Sequence, residues 1–356
     1  MKIAFQSNQL SMRGTEVALY DYADYCEKLL GHKSVVVYDA SNTNNAQQAI
    51  KKFTDRFDVL GYTSLQELEA ILAHTGCDLM YCIKSGKRDG MLSQTVRTMV
   101  HAVFPTSPHQ AHGTSFAYIS SWLSLKCSSG KVPAVSHIVQ MNSANGDLRT
   151  ILGIPKDALV IGGYGGQDSF DVPCALSGVK RLLQEYNDIY FLFLNFRPFL
   201  DHPRALFLPG SSDMNHKARF IQSCDAMLHA RLQGESFGLA VGEFSILNKP
   251  VMTYAHSKHT HHINMLGDKG LFYRNEEELL SCIRSLPKLL KQNVIWDRYS
   301  ETCNPAYVMA DFDRFLIQPA LRNRSFTRPV LDISWLDELQ YWRFKWQMRA
   351  SHQPQD

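Results

Sequence analysis

Short apolar runs alternate with amphipathic segments along almost the whole chain, and this rhythm starts twice. In the first half, strand-like runs fall at 3–6, 34–38, 58–61, 78–82, 99–104 and 116–119, with a last short one at 135–140. Helix-like stretches such as 15–30 and 64–74 lie between them. Strand, helix, strand at this spacing calls for a parallel sheet with helices on its faces. The pattern restarts with strand-like runs at 159–164, 189–195, 204–208, 226–229 and 251–254, and helix-like stretches at 172–186, 216–223 and 237–247. The end differs: 276–290, 305–321 and 333–349 read as consecutive helices, the last carrying Trp335, Tyr341, Trp342, Phe344 and Trp346. A tail so apolar must pack on something, and we expect it to cross back onto the first domain, with 351–356 frayed. The expected fold class is α/β, two Rossmann-like domains facing across a cleft. Residues 1–145 form the first domain, 146–325 the second, and 326–356 a helix packing back on the first.

Composition narrows the function. Apolar residues make up 45% and charged residues 20%, the balance of a globular chain with a sizeable core. The net charge is +3, from 37 basic and 34 acidic residues, too small for the concentrated basic stripe that nucleic acid demands. No stretch approaches the roughly 18 apolar residues that cross a bilayer. That predicts no transmembrane segment, a cytoplasmic protein, and peripheral membrane contact left open. The eight cysteines are scattered without a CxxC pair, as suits reduced, buried thiols.

The most informative segment runs from Cys224 through Val251 as strand, loop, helix, turn, strand. Ser236 is the expected N-cap and Gly238 falls in the first turn, where unpaired backbone N–H groups point outward. A helix N-terminus with partial positive charge and no side chain in the way is a phosphate site. Glu243 follows Gly238 by five residues, about 7.5 Å along the axis at 1.5 Å per residue. With Gly242 clearing the surface, Glu243 is placed to accept from two ribose hydroxyls. Glu235 stands at the mouth, where a transferring sugar would sit.

Glu235-x7-Glu243, with Phe237-Gly238-Leu239 between and Lys249-Pro250-Val251 after, resembles the signature of the retaining GT-B glycosyltransferases of family 4. Leu152-Gly153-Ile154-Pro155, Phe207-Leu208-Pro209-Gly210 and Gly270-Leu271-Phe272 are similar to the runs that flank it in that family. The resemblance implies that Glu235 contacts the donor sugar and that the backbone of Phe237, Gly238 and Leu239 holds the diphosphate. Glu243 would bind the ribose, and the loop at Pro209 would meet the base. In the first domain Gly14 would open a helix toward the diphosphate, and His109 or His112 would face the sugar. The implied donor is a nucleoside diphosphate sugar, GDP-mannose first and UDP-sugars next. The acceptor is a glycan or other hydroxyl, and neither cofactor nor metal is expected.

Two departures stand out. Arg13 occupies the place of one of the family's paired glycines. The Arg and Lys that the family sets on the diphosphate are missing: the first position reads Gly165-Gly166-Gln167-Asp168-Ser169 and the second falls near Asp171. Another cation must balance the phosphates, and the candidates are Arg231, Arg197, Lys217 and Arg13.

Other signals are weaker. Asp311-Phe312-Asp313 resembles a metal-binding DxD but sits in a helical stretch, where a solvated face is expected. His256, His259, His261 and His262 mark a loop in the cleft or in solvent. Gly162-Gly163-Tyr164-Gly165-Gly166 fails the dinucleotide spacing. Lys84-Ser85-Gly86-Lys87-Arg88 is a basic loop at a strand end. Two other readings stand beside the enzyme: an inactive sugar-nucleotide-binding module and a nicotinamide-dependent oxidoreductase.

Overall fold

The computed structural model describes residues 1–142 and 144–350, so the expectation of a frayed 351–356 lies outside the described residues. The chain divides into two compact units. One holds residues 1–138 and 302–350, the other 139–301.

The first unit opens with β1 (Lys2–Ser7), buried at every position after the first, followed by α1 (Gly14–Leu30). Helix α1 ends where Gly31 turns left-handed and its N–H closes on the Cys26 carbonyl. Then come β2 (Lys33–Asp39), α2 (Gln47–Thr54), β3 (Asp58–Tyr62), α3 (Leu65–Thr75), β4 (Leu79–Lys84), β5 (Arg97–Ala102), β6 (Ser115–Tyr118) and α4 (Ser121–Ser128). Helix α3 starts at a capped end: Ser64 Oγ accepts from Glu67 N. The sheet is parallel throughout, in the order β3-β2-β1-β4-β5-β6. The strand expected at 135–140 does not form. Only a single bridge joins Ala134 to Tyr118, and Pro133 beside it has no N–H to extend a ladder.

The second unit repeats the plan. Its elements are β7 (Leu159–Tyr164), α5 (Pro173–Glu185), β8 (Ile189–Leu194), β9 (Ala205–Leu208), α6 (Met214–Ser223) and β10 (Ala226–His229). There follow β11 (Gly234–Glu235), α7 (Leu239–Ile246), β12 (Val251–Tyr254), β13 (His259–Thr260), α8 (His261–Leu266), β14 (Leu271–Tyr273) and α9 (Glu276–Leu290). The main sheet runs β14-β12-β10-β7-β8-β9, again all parallel. Counted within the unit this is 3-2-1-4-5-6, the same order as the first sheet and that of a Rossmann fold. The glycines at 162 and 163 belong to packing. A Cβ at Gly163 would lie 2.8 Å from the Leu228 carbonyl, and one at Gly162 would collide with Cys224 Sγ.

After α10 (Ser300–Cys303) the chain joins the first unit. The single helix expected at 305–321 is α11 (Pro305–Phe312), a π-turn at Asp313–Ile317, and α12 (Gln318–Arg322). Phe312 stacks on Tyr22, centroids 5.1 Å apart, in the core beneath β1 and β4. This places 302–325 with the first unit. Helix α13 (Trp335–Ala350) packs on α4 of the same unit, with Phe344 edge-on to Trp122 at 5.5 Å. No helix among the described residues is long and apolar enough to cross a membrane.

Candidate donor site in the second unit

In an open parallel sheet, ligands collect outside the carboxyl ends of the strands where the order reverses. In the second unit that point lies between β7 and β10, so the segment leaving β10 carries the candidate site. That segment is tied down at every step. Leu232 N donates to Asp171 Oδ1 at 2.7 Å, Gly234 N to the Arg231 carbonyl at 3.0 Å and Ser257 Oγ to the same carbonyl at 2.9 Å. Strand β11 then pairs with β13, Gly234 opposite His259 and Glu235 opposite Thr260. Asp171, near the place where the family's lysine is expected, thus fixes the loop that presents Arg231.

Glu235 is half-buried, with Arg231 Nη1 2.8 Å and His229 Nε2 3.5 Å from its Oε1. Burial pushes its carboxyl up, but the His229 contact and the Arg231 charge outweigh that and bring it down to about 2. It is therefore ionised at any working pH. Behind it, His229 Nδ1 lies 2.8 Å from Thr253 Oγ1, and that hydroxyl is 3.1 Å from His262 Nε2. Burial holds His261 down to about 4 and His262 well below the usual histidine range, so both are neutral. His261 stacks on Phe237, centroids 5.4 Å apart. His259, His261 and His262 are buried and only His256 is exposed. The expected histidine loop is packing that supports Glu235, and among the described residues no group of three or more His, Cys, Asp or Glu is arranged to hold a metal.

Helix α7 begins differently from expectation. Its N-cap is Gly238, left-handed at φ 96°, and no side chain caps it, so Ser236 does not play that part. Only glycine takes such a φ cheaply. The N–H groups of the first turn, from Leu239 on, have no side-chain acceptor from the cap, as an anion site requires. Gly242 is not an open surface for a ribose either: a Cβ there would sit 2.9 Å from the Tyr299 ring and 3.1 Å from Val139.

Two predicted residues from different helices meet. Lys217 Nζ of α6 lies 2.7 Å from Glu243 Oε1 of α7, and both side chains are buried. The lysine also lies 5.5 Å over the Tyr164 ring, which stacks on Phe244. Pro209 is exposed at the end of β9, beside Gly210, which abuts Asn195 at the end of β8. Arg197 pairs with Asp168 on the surface at 3.1 Å.

In the first unit, Gly14 is exposed and heads α1, with Arg13 as an N-cap that makes no capping bond. Glu16 fills the first turn, accepting from Thr15 Oγ1 at 2.9 Å and Ser11 Oγ at 3.3 Å. His109 is exposed on the short turn Pro108–Gln110, whose carbonyl at 109 accepts from Arg88. His112 is buried, its imidazole pushed below the usual histidine range by burial and then by the Lys84 charge. One of the three cations of the loop expected to be basic is neutralised, for Lys84 is buried and bonded to Asp89 at 2.6 Å. Asp311 and Asp313 are half-buried on the C-terminal helices.

Sequence reasoning missed His229, Thr253 and Asp171. The signal for Asp171 was present as an acid near a place where the family has a cation. The other two converge only because β10 and β12 are neighbours.

The site can be set beside solved structures. A glycosyltransferase from Rickettsia africae is similar over 90% of this chain and 96% of its own, at 14% identity and a TM-score of 0.61. HepE of Anabaena, in complex with UDP-glucose, is similar over 90% and 97%, at 15% identity and a TM-score of 0.60. The lipopolysaccharide outer core galactosyltransferase WaaB, in its apo form, is similar over 89% and 99%, at 13% and 0.61. The fold is GT-B. No protein-family model matches the chain, and no curated protein does.

Proposed function

We propose that the chain transfers a sugar from a nucleoside diphosphate sugar to an acceptor hydroxyl, with the donor held by the second unit. The observation that carries this reading is the ionised Glu235 beside the glycine-headed N-terminus of α7, both at the carboxyl ends of β7 and β10. A carboxylate there suits hydroxyls of a sugar, and the N–H groups of the helix suit its diphosphate. Arg231, on the same loop, is the cation we assign to the phosphates. Arg231 also holds Glu235, but it is more open than Lys217, which is buried against Glu243, and it lies on the site loop, whereas Arg197 pairs with Asp168 on the surface.

The ribose falls to Glu243 and the base to the loop at Pro209. Gly14 and His109 or His112 are the first-unit residues we assign to donor and sugar. Departure of the diphosphate would be stabilised electrostatically, its oxygen taking the acceptor proton, with retention at the anomeric carbon and no metal. HepE was solved with UDP-glucose, which sets UDP-sugars ahead of GDP-mannose as donors to try.

The inactive binding module is the second reading. It is favoured by Gln167, Asp168 and Asp171 standing where the family's cations are expected. A thermal-shift panel of UDP, GDP, ADP and their sugars, with and without EDTA, tests both, since a ligand of the native state raises Tm by mass action. A shift by one nucleotide together with slow donor hydrolysis supports the enzyme. A shift with neither hydrolysis nor transfer supports the module, and no shift at all sinks both.

A further inference from the structure

Helix α13 is apolar on two opposite sides. At about 100° per residue, Asp337, Tyr341 and Phe344 share one face, and these are the residues buried against the first unit. Asp337 Oδ2 accepts from Lys131 Nζ at 2.8 Å and Phe344 packs on Trp122. The opposite face should be polar on a helix that meets only water. Instead it carries Trp335, Leu339, Trp342 and Trp346, which fall within an arc of about 60°. They are 67, 46, 53 and 71% exposed. Single exposed apolar side chains are ordinary, but three tryptophans in one stripe are not.

What flanks the stripe says what covers it. Arg343 lies along one side, and Lys345 and Arg349 along the other. Both acidic residues of the helix are engaged: Asp337, on the inner face, with Lys131, and Glu338, on the flank beside Lys345 and Arg349, with the Ser107 hydroxyl. Neighbouring α4 adds exposed Leu125 and Lys126, and the Leu125 carbonyl accepts from Gln340 of α13. The face is therefore tryptophan-rich and rimmed by cations. Tryptophan favours the headgroup level of a bilayer, where its ring is half wet, and arginine and lysine favour anionic lipid. A protein partner fits less well. The stripe is one side chain wide and about 16 Å long, well under the roughly 800 Å² per partner of a standard interface.

We propose that α13 is a membrane-surface anchor: its outer stripe of Trp335, Leu339, Trp342 and Trp346 lies in the headgroup layer of an anionic bilayer. Arg343, Lys345 and Arg349 sit on lipid phosphates at its rim.

The test uses the full chain with phosphatidylcholine vesicles, with and without about one third phosphatidylglycerol. The chain should co-sediment with the anionic vesicles, weakly with the neutral ones, and less as salt rises. Its tryptophan emission should move to the blue on binding. Trp122 and Trp296 are already buried, so the shift belongs to the three on α13. Trp335→Ser, Trp342→Ser and Trp346→Ser together should weaken binding about tenfold or more. Arg343→Gln, Lys345→Gln and Arg349→Gln together should abolish the preference for anionic vesicles. Either variant should keep its Tm, because the altered side chains are outside the core, and if the serine variant fails to fold the glutamine variant carries the test. Absence of vesicle binding, or equal binding by a folded variant, overturns the proposal. So does a reversible dimer in sedimentation velocity that the serine variant loses while vesicles bind neither protein, which would assign the face to a second copy.

Discussion

Glu235 and Glu243 sit eight positions apart and meet different fates. Glu235 is half-buried and held down to about 2, chiefly against its own burial, by His229 and Arg231. Its folded pKa lies below its unfolded value of about 4.3, so the stability it contributes is complete above that value and lost as pH falls through about 2. Urea titrations between pH 5 and 2 should show Glu235→Gln losing less stability on acidification than the parent, by on the order of 3 kcal/mol. Equal acid slopes would remove the pairing. The same variant should bind nucleoside diphosphate normally while transfer falls about a hundredfold, the size typical of one lost electrostatic contact to the transition state. Glu243, by contrast, is buried and paired with Lys217, a contact that a bound ribose would have to share. Lys217→Met alone should cost about 3–5 kcal/mol by leaving a buried carboxylate uncompensated, and Glu243→Gln added to it should restore much of that. A double-mutant cycle showing simple additivity would deny the coupling. Both glutamates were legible from their spacing around Phe237-Gly238-Leu239. The lysine that buries one of them was legible only as a spare cation, because α6 and α7 become neighbours through the sheet and not through the sequence.

At the level of elements, α7 separates two glycines that look alike in the motif. Gly238 is needed for its backbone, left-handed at φ 96°, while Gly242 is needed for the space against Tyr299. Gly238→Ala should cost about 1–2 kcal/mol and, by moving the first turn of α7, also weaken nucleotide binding. Gly242→Ala should cost about 1–3 kcal/mol through overpacking but leave the affinity of the folded protein near that of the parent. Calorimetric binding at a temperature where both variants are folded distinguishes them, and equal affinity losses would end the distinction. Most main-sheet strands were legible from the apolar rhythm, since strands such as β1, β4 and β8 are buried along nearly their whole length; the three-residue β14 was not read. The failures have local causes. Residues 135–140 are apolar enough for a strand but follow Pro133, and Ser236 is a good cap residue displaced by a glycine that alone reaches the required φ. The short β11 and β13, which hold Glu235, are two residues each and carry no period to read.

Over the whole molecule the same strand order occurs twice, and the second copy sets a strongly depressed carboxylate beside a glycine-headed helix at its switch point. In the first copy the helix that opens at the switch point is α1, which follows the first strand as α5 does in the second copy, and Glu16 is folded into its first turn, buried and with its carboxyl pushed up by desolvation. A carboxylate at that end satisfies part of the helix dipole that a phosphate would otherwise meet. The duplication explains why the fold was legible from pattern alone while the choice of unit was not. That choice rests on four or five residues and not on the rhythm. It leads to a prediction about where a nucleotide is felt. Hydrogen exchange with a saturating nucleoside diphosphate should slow at the loop from Ala230 to Gly238 and along α7, because binding to the native state suppresses local opening there. The helices α2 and α3 of the first unit should exchange at unchanged rates. Protection centred instead on α1 would move the diphosphate to the first sheet and make Glu16, not Glu235, the carboxylate that the ligand must accommodate.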